Sequence, residues 1–209
     1  MTVMSYLGAI GAAQREAMEA DERVIIIGED VEANVYGTTG GGKSRSEKGD
    51  FLEMFGNDRI RNTPIPEEVI VGAAAGAAMT GLRPIVDFSY SSFLYMAMDQ
   101  FVNQVAKNRY MFGGQASMPV VFRSAMFYGL NTGAHHSDRP YPMFMNVPGL
   151  KIMVPASPTD AKGLLRTVGR GSGGAADQLV SIKATGGGAF KYAELFEVRQ
   201  FEPSKLRTL

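Results

Sequence analysis

The sequence predicts an α/β fold, a parallel-sheet three-layer sandwich with helices on both faces. Three observations predict it. Short β-branched apolar runs alternate with stretches of helical spacing along the chain. One run, Val24-Ile25-Ile26-Ile27-Gly28, is apolar on both faces, as a strand covered from two sides must be. Glu29 and Asp30 stand just past its end, where open parallel sheets place their ligands.

Along the chain, residues 5–20 carry apolar side chains at helical spacing, with Gln14, Arg15, Glu16 and Glu19 mostly on the other side, and predict a helix. The strand 23–28 comes next, and then a Gly-rich polar loop over 34–49. Residues 51–55 suit a helical turn or two, and 59–62 a short strand. In Thr63-Pro64-Ile65-Pro66-Glu67-Glu68, Pro66 suits a first helical position and the two acids suit the dipole of a first turn. That helix runs to about Thr80 and stops at Gly81. Its middle, Gly72 to Ala78, has almost no side-chain bulk, which permits close approach of a neighbouring helix or subunit. Further strands are expected at 84–88, 118–123, 150–155 and 178–184. A long amphipathic helix is expected over 93–110, and another over 158–168 with Ser157 as its N-cap. Residues 169–174 and 186–188 read as flexible connections.

Composition bounds the function. The 209 residues suit one domain with a short appendage. Lys+Arg and Asp+Glu are 21 each, so bulk charge supports no general nucleic-acid binding, and zero net charge favours a partnered protein. Cysteine is absent, which excludes disulfides, zinc–thiolate sites and Cys nucleophiles. No basic start with an apolar run opens the chain, and the small-apolar stretch 69–79 is too short to span a bilayer. A cytoplasmic protein is the expectation.

Gly37-Thr38-Thr39-Gly40-Gly41-Gly42-Lys43-Ser44 matches the phosphate-cradling P-loop pattern. A P-loop, however, comes directly after a strand and opens a helix. Here a gap separates it from Gly28, and Arg45-Ser46-Glu47-Lys48-Gly49-Asp50 is a poor helix start. His135 and His136 are the only histidines; adjacent residues on extended chain point apart, so they chelate poorly. One of them suits a lone catalytic or hydrogen-bonding role. Glu67 lies between a Pro-bounded turn and an apolar helix, where desolvation can tune its proton affinity. It equally suits an ordinary helix-start acid, and Glu29 carries the same ambiguity.

Several segments carry a resemblance. They are Gly28-Glu29-Asp30, Asn62-Thr63-Pro64-Ile65-Pro66-Glu67, Gly76-Ala77-Ala78-Met79-Thr80-Gly81-Leu82-Arg83-Pro84-Ile85 and Met98-Asp99-Gln100. Ala106-Lys107-Asn108-Arg109-Tyr110-Met111-Phe112-Gly113-Gly114-Gln115, Gly133-Ala134-His135-His136-Ser137 and Val147-Pro148-Gly149-Leu150-Lys151-Ile152 join them, as does the run from Pro155 to Leu165. In order and spacing the chain resembles the β subunit of the thiamine-diphosphate-dependent 2-oxo acid dehydrogenase E1 component, over about residues 4–168. The resemblance implies the transketolase-like pyrimidine-binding fold over 1–188, with 189–209 as a C-terminal tail. Glu67 then matches the glutamate that hydrogen-bonds the aminopyrimidine of thiamine diphosphate and helps it to remove its own thiazolium proton. Phe93 matches the aromatic residue packing on the pyrimidine, Glu29 a carboxylate lining the same pocket, and His136 the active-site histidine. His135 stands where the family usually has Gln.

The departures from the family's pattern are as informative. The G-D-G…N motif for diphosphate and Mg²⁺ is missing from the chain. In the family it belongs to the α subunit, so the resemblance implies a heterotetramer with an α-like subunit that holds Mg²⁺. After His136-Ser137 come Asp138-Arg139-Pro140-Tyr141-Pro142, where the family has Gln and a helical apolar segment. Beyond Val168 the usual charged turn is replaced, leaving the family's structural cation site unassigned. The family's C-terminal domain is lacking, so a separate chain supplying it and a lipoyl acyltransferase are further implied partners. The implied reaction is decarboxylation of a 2-oxo acid with transfer of the acyl unit. Ketol or acyloin transfer without lipoamide, a P-loop NTPase and a non-catalytic assembly subunit are the alternatives.

Overall fold

The computed structural model describes residues 4–32, 51–127, 133–170 and 178–185. The whole loop 34–49 with its P-loop-like run 37–44, the connection 186–188 and the tail 189–209 lie outside the described residues. So does the boundary expected at 188.

The helices are α1 (Tyr6–Ala20), α2 (Phe51–Phe55), α3 (Glu67–Met79), α4 (Ala106–Met111), α5 (Tyr141–Phe144) and α6 (Pro158–Arg170). The strands are β1 (Val24–Gly28), β2 (Ile60–Asn62), β3 (Arg83–Tyr90), β4 (Val121–Phe127), β5 (Leu150–Met153) and β6 (Gln178–Thr185). They form one six-stranded sheet in the order β2-β1-β3-β4-β6-β5, parallel at every pairing.

Strand order decides which face each helix covers. Crossovers between parallel strands are right-handed, so helices whose chain travels in opposite directions land on opposite faces. The steps β1→β2 and β5→β6 run one way along the sheet, and α2 and α6 pack together with α1 on Val24, Ile26, Ile60, Ile85 and Val121. The steps β2→β3, β3→β4 and β4→β5 run the other way. The segments they carry, α3 and Leu94 to Ala106 among them, pack on Ile27, Val86, Phe88, Phe122 and Ile152. This is the expected three-layer sandwich, and Phe101, edge-on to Phe122 at 4.5 Å and to Phe144 at 5.0 Å, fills one of its two apolar layers.

Local chemistry sets the helix ends. Ser5 caps α1, its Oγ accepting from Gly8 N at 3.1 Å. The last turn of α1 has no basic residue of its own. Arg59 serves it from the β2 side, donating to Met18 O, Asp21 O and Val24 O at 2.7, 3.0 and 2.9 Å. At α6 a capping box forms: Ser157 Oγ accepts from Asp160 N at 3.1 Å, and Asp160 Oδ2 accepts from Ser157 N at 3.0 Å. Pro66 is the N-cap of α3 rather than its first helical residue. No helix among the described residues is long and apolar enough to cross a membrane.

Two expectations are corrected. The strand expected at 118–123 begins at Val121, because Pro119 has no N–H for the ladder and Val120 N turns back to Met118 O at 2.8 Å. The long helix expected over 93–110 is three helices of different pitch. A 3₁₀ helix runs Ser91–Ala97, a π-helix Gln100–Val105, and α4 completes the segment. The tight turns and the wide turns offset one another in phase, so Leu94, Ala97, Phe101 and Val105 all still face the core.

At the heart of the sheet lies a charged pair. Arg123 Nη2 donates to Asp87 Oδ2 across the β3–β4 register, and Asp87 Oδ1 accepts from Ser89 N at 2.9 Å. Asp87 is 1% and Arg123 3% exposed. Burial pulls the arginine down to about 9, which still leaves it charged at neutral pH.

This packing predicts two stability outcomes. Asp87→Ala strands a buried guanidinium and should cost about 3–5 kcal/mol in urea unfolding. Gly149 has φ +94°, and a Cβ there would lie 2.1 Å from Ala106 O; Gly149→Ala should cost at least about 1–3 kcal/mol by the same measurement.

Candidate functional site

Four consecutive strands of the sheet, β2-β1-β3-β4, end on the same carboxyl edge. Each leads into a residue singled out by the sequence. Glu67 comes after β2, Glu29 after β1, Phe93 after β3 and His136 after β4. The chain leaves β1 in one direction and β3 in the other, so this is the switch point at which an open parallel sheet forms a crevice.

Each position has a local cause. A Cβ on Gly28 would lie 2.4 Å from Asp87 O, so only glycine lets β1 run this close to β3 before turning into Glu29. Thr63 N donates to Gly28 O at 3.0 Å, extending the β1–β2 ladder one residue beyond β2. Pro64 and Pro66 then fix the approach, and Glu67 becomes the first residue of α3. The pairing of β3 with β4 shifts register between Asp87 and Tyr90, and Ser89 sits at φ +58°. This irregularity turns the chain out of the sheet into the 3₁₀ helix that carries Phe93.

The structure brings these residues together as two pairs. Glu67 is 8% exposed. Burial raises its pKa above the usual carboxylate range, its own backbone N–H partly opposes this, and the nearby charges of Glu29 and Glu68 add to it. Glu29, half-buried in the turn after β1, is therefore close enough to act on Glu67 electrostatically. The second pair is aromatic. The His136 ring stands edge-on to Phe93 with centroids 5.4 Å apart, and to Tyr90 at 4.6 Å. Tyr90 and Phe93 meet at 5.6 Å. α3 packs on the 3₁₀ helix of Phe93, which joins the two pairs along one edge.

His135 and His136 lie in a 3₁₀ turn, Ala134–His136, rather than on extended chain. The turn leaves His135 exposed while His136 is half-buried. Among the described residues no group of His, Asp and Glu could hold a metal ion. The prolines after His136 start a helix: Pro140 is the N-cap of α5 and Pro142 stands in its first turn.

Sequence reasoning misses Tyr90 and the Asp87–Arg123 pair. Asp87 and Arg123 do leave a signal, since each is a charge of opposite sign in an otherwise apolar strand. The contacts of Tyr90 leave none, because they depend on the register shift at the end of β3.

The donor set fits the aminopyrimidine of thiamine diphosphate. A mostly buried carboxyl with raised proton affinity can exchange a hydrogen bond with ring nitrogens, and an aromatic side chain on the same edge offers apolar contact.

Comparison with known proteins agrees with this geometry. The chain is 40% identical over 172 residues to the 2-oxoisovalerate dehydrogenase subunit beta of Bacillus subtilis (strain 168), covering 81% of this chain and 50% of that protein. It is 43% identical over 169 residues to the acetoin:2,6-dichlorophenolindophenol oxidoreductase subunit beta of the same organism, covering 78% of this chain and 49% of that protein. The chain thus spans about half the length of these curated relatives. Among solved structures, a split gene transketolase, an inactive beta4 tetramer, shares the fold with a TM-score of 0.65 at 16% identity, covering 97% of this chain and 57% of that one. The family described as "Transketolase, pyrimidine binding domain" matches residues 2–174. A match over most of the chain, on a sheet whose carboxyl edge gathers Glu67, Glu29, Phe93 and His136, makes this protein a member of that transketolase pyrimidine-binding family.

Proposed function

We propose that the chain is the pyrimidine-binding, β-like part of a thiamine diphosphate-dependent 2-oxo acid dehydrogenase E1 component. An α-like subunit supplies the diphosphate and Mg²⁺ groups that this sequence lacks. The observation that carries the reading is Glu67, a mostly buried helix-start carboxyl with raised proton affinity at the switch point of the sheet. Glu67 would hold the pyrimidine ring by a hydrogen bond at its carboxyl, with Phe93 against the ring and Glu29 beside it. When bound, thiamine diphosphate supplies the nucleophile and electron sink for decarboxylating a 2-oxo acid. The chain's part is to keep a proton available at the Glu67 carboxyl, to orient the ring, and to present His136 at the same edge. The names of both bacterial relatives support a two-carbon or branched acyl chemistry of this kind.

A second reading has a specific observation behind it. The relative at 43% identity is named for acetoin, an acyloin. Assaying the reconstituted complex with 2-oxo acids and with acetoin separates the two. Turnover of acetoin alone would replace the first reading with the second.

Glu67→Gln in the reconstituted complex should lower turnover by about 10²–10⁴-fold, and unchanged turnover would sink the assignment. The same variant has an opposite effect on stability. The folded state holds the Glu67 proton more tightly than the unfolded chain does, so the protein loses stability as pH rises from the ordinary glutamate value, about 4.3, through the raised one. Glu67→Gln should therefore melt higher than the parent chain at neutral pH, with the gain shrinking as pH falls through the raised value and gone below about pH 4.3.

The outer face of α3 supports the partner. Val69 is 58% and Met79 47% exposed, and Gly72, Ala73 and Gly76 lie exposed between them. No atom of the described residues lies within 4 Å of a Cβ placed on Gly76. Gly76→Ala should then stabilise the lone chain by about 1 kcal/mol in thermal melts through helix propensity. In pull-downs with an α-like subunit, Gly76→Leu should weaken recovery of the complex if a second helix packs on this face.

A further inference from the structure

Three rings at the carboxyl edge close a triangle. Tyr90 and His136 meet at 4.6 Å, Phe93 and His136 at 5.4 Å, and Tyr90 and Phe93 at 5.6 Å, every pair edge-to-face. In such a pair the positive edge of one ring meets the negative face of the next, so each contact favours one orientation. The corners are not equally fixed. Tyr90 pairs with Ala125 across the β3–β4 ladder and is also the N-cap of the 3₁₀ helix Ser91–Ala97, so its backbone is held from both sides. Phe93 lies within that helix. His136 lies in the short turn Ala134–His136, none of whose residues is buried.

Ser91 Oγ donates to Asp138 O at 2.7 Å and ties the backbone two residues beyond His136 to the same helix. A backbone bond places the loop but leaves the His136 side chain its own rotations, and what the ring touches selects among them. Tyr90 makes the shortest of the three ring contacts. It also stands where β3 stops serving the core. Phe88, two residues earlier, is buried and meets Phe122 at 6.0 Å. The register then shifts, Ser89 takes φ +58°, and Tyr90 emerges half-buried beside the site. An unusual backbone conformation that delivers an aromatic ring to such an edge has a functional reading.

We propose that Tyr90 is a positioning residue, whose ring props the His136 ring against Phe93 and so presents the histidine to the site in one orientation. The geometric part concerns this chain alone; its effect on turnover rests on the function proposed above.

The chain has only two histidines, so in full-length His135→Gln every imidazole signal comes from His136. Nuclear Overhauser cross-peaks should join the His136 ring to the Phe93 ring, with Phe93→Leu assigning them. Adding Tyr90→Leu alters neither ring of that pair, so the cross-peaks then report position and not a lost ring current. They should lose most of their intensity in Tyr90→Leu and keep it in Tyr90→Phe, which retains the ring. Tyr90→Met repeats the test with a more flexible side chain if the leucine variant does not fold. Cross-peaks of full intensity in a folded Tyr90→Leu or Tyr90→Met chain overturn the proposal, because the loop's own fastening then places the ring. In the reconstituted complex, Tyr90→Leu should lower kcat by about 10- to 100-fold with KM little changed, and Tyr90→Phe should restore it. Lost cross-peaks with undiminished kcat overturn the effect on turnover. A parent complex that turns over no 2-oxo acid fails the function proposed above and leaves the ring measurement to decide the positioning role.

Discussion

The carboxyl end of β3 is the point on which the rest of the structure depends. Asp87 meets Gly28 of β1 on one side so closely that no side chain fits there, and its carboxylate takes Arg123 of β4 on the other. It also accepts the backbone N–H of Ser89, the residue at φ +58° where the strand leaves its register. One buried residue, through its backbone toward β1 and its carboxylate toward β4, thus links three adjacent strands and the irregularity that releases Phe93 toward the crevice. A buried ion pair is not an efficient way to stabilise a sheet, since desolvation offsets much of the attraction. Its contribution is geometry: the Arg123 Nη2 bond to Asp87 Oδ2 forms across this β3–β4 register.

The site built on that frame costs stability. Glu67 is placed among other acids and away from water, which raises its proton affinity and makes the ionised folded state less favourable. Gly76 sits in a helix interior with open space above it, where alanine would be the better helix former. Ser89 holds a backbone conformation that few non-glycine residues adopt. Of these, Glu67 and Ser89 break local rules together at the carboxyl ends of the strands, which marks that edge as functional. The opposite edge, at the amino ends of the strands, is served by conventional devices such as the Arg59 clamp on α1.

Much of this is legible in the sequence. All six strands and the major helices can be read from periodicity, whereas the Pro-bounded turn before Glu67 leaves that residue ambiguous until the family resemblance is added. The long amphipathic stripe over 93–110 is legible as apolar spacing but not as pitch, because 3₁₀ and π turns that offset one another preserve the stripe that an α-helix would show. The adjacent histidines read as extended chain from sequence alone. The 3₁₀ turn that separates their environments arises from the positive φ of Gly133 and the bonds that close it.

By itself the sequence determined the alternation of buried strands and helices, hence a parallel sheet, and the residue types that stand at the strand ends. These are local properties, set by side-chain volume, branching and the spacing of apolar positions over a few residues. The tertiary structure alone decided which of those ends meet. Asp87 finds Arg123 across 36 residues of chain and Ser91 finds Asp138 across 47. Neither partner alters the local pattern of the other. Strand order, register and the handedness of the crossovers bring such pairs together, and through them Glu67, Glu29, Phe93 and His136 come to share one edge.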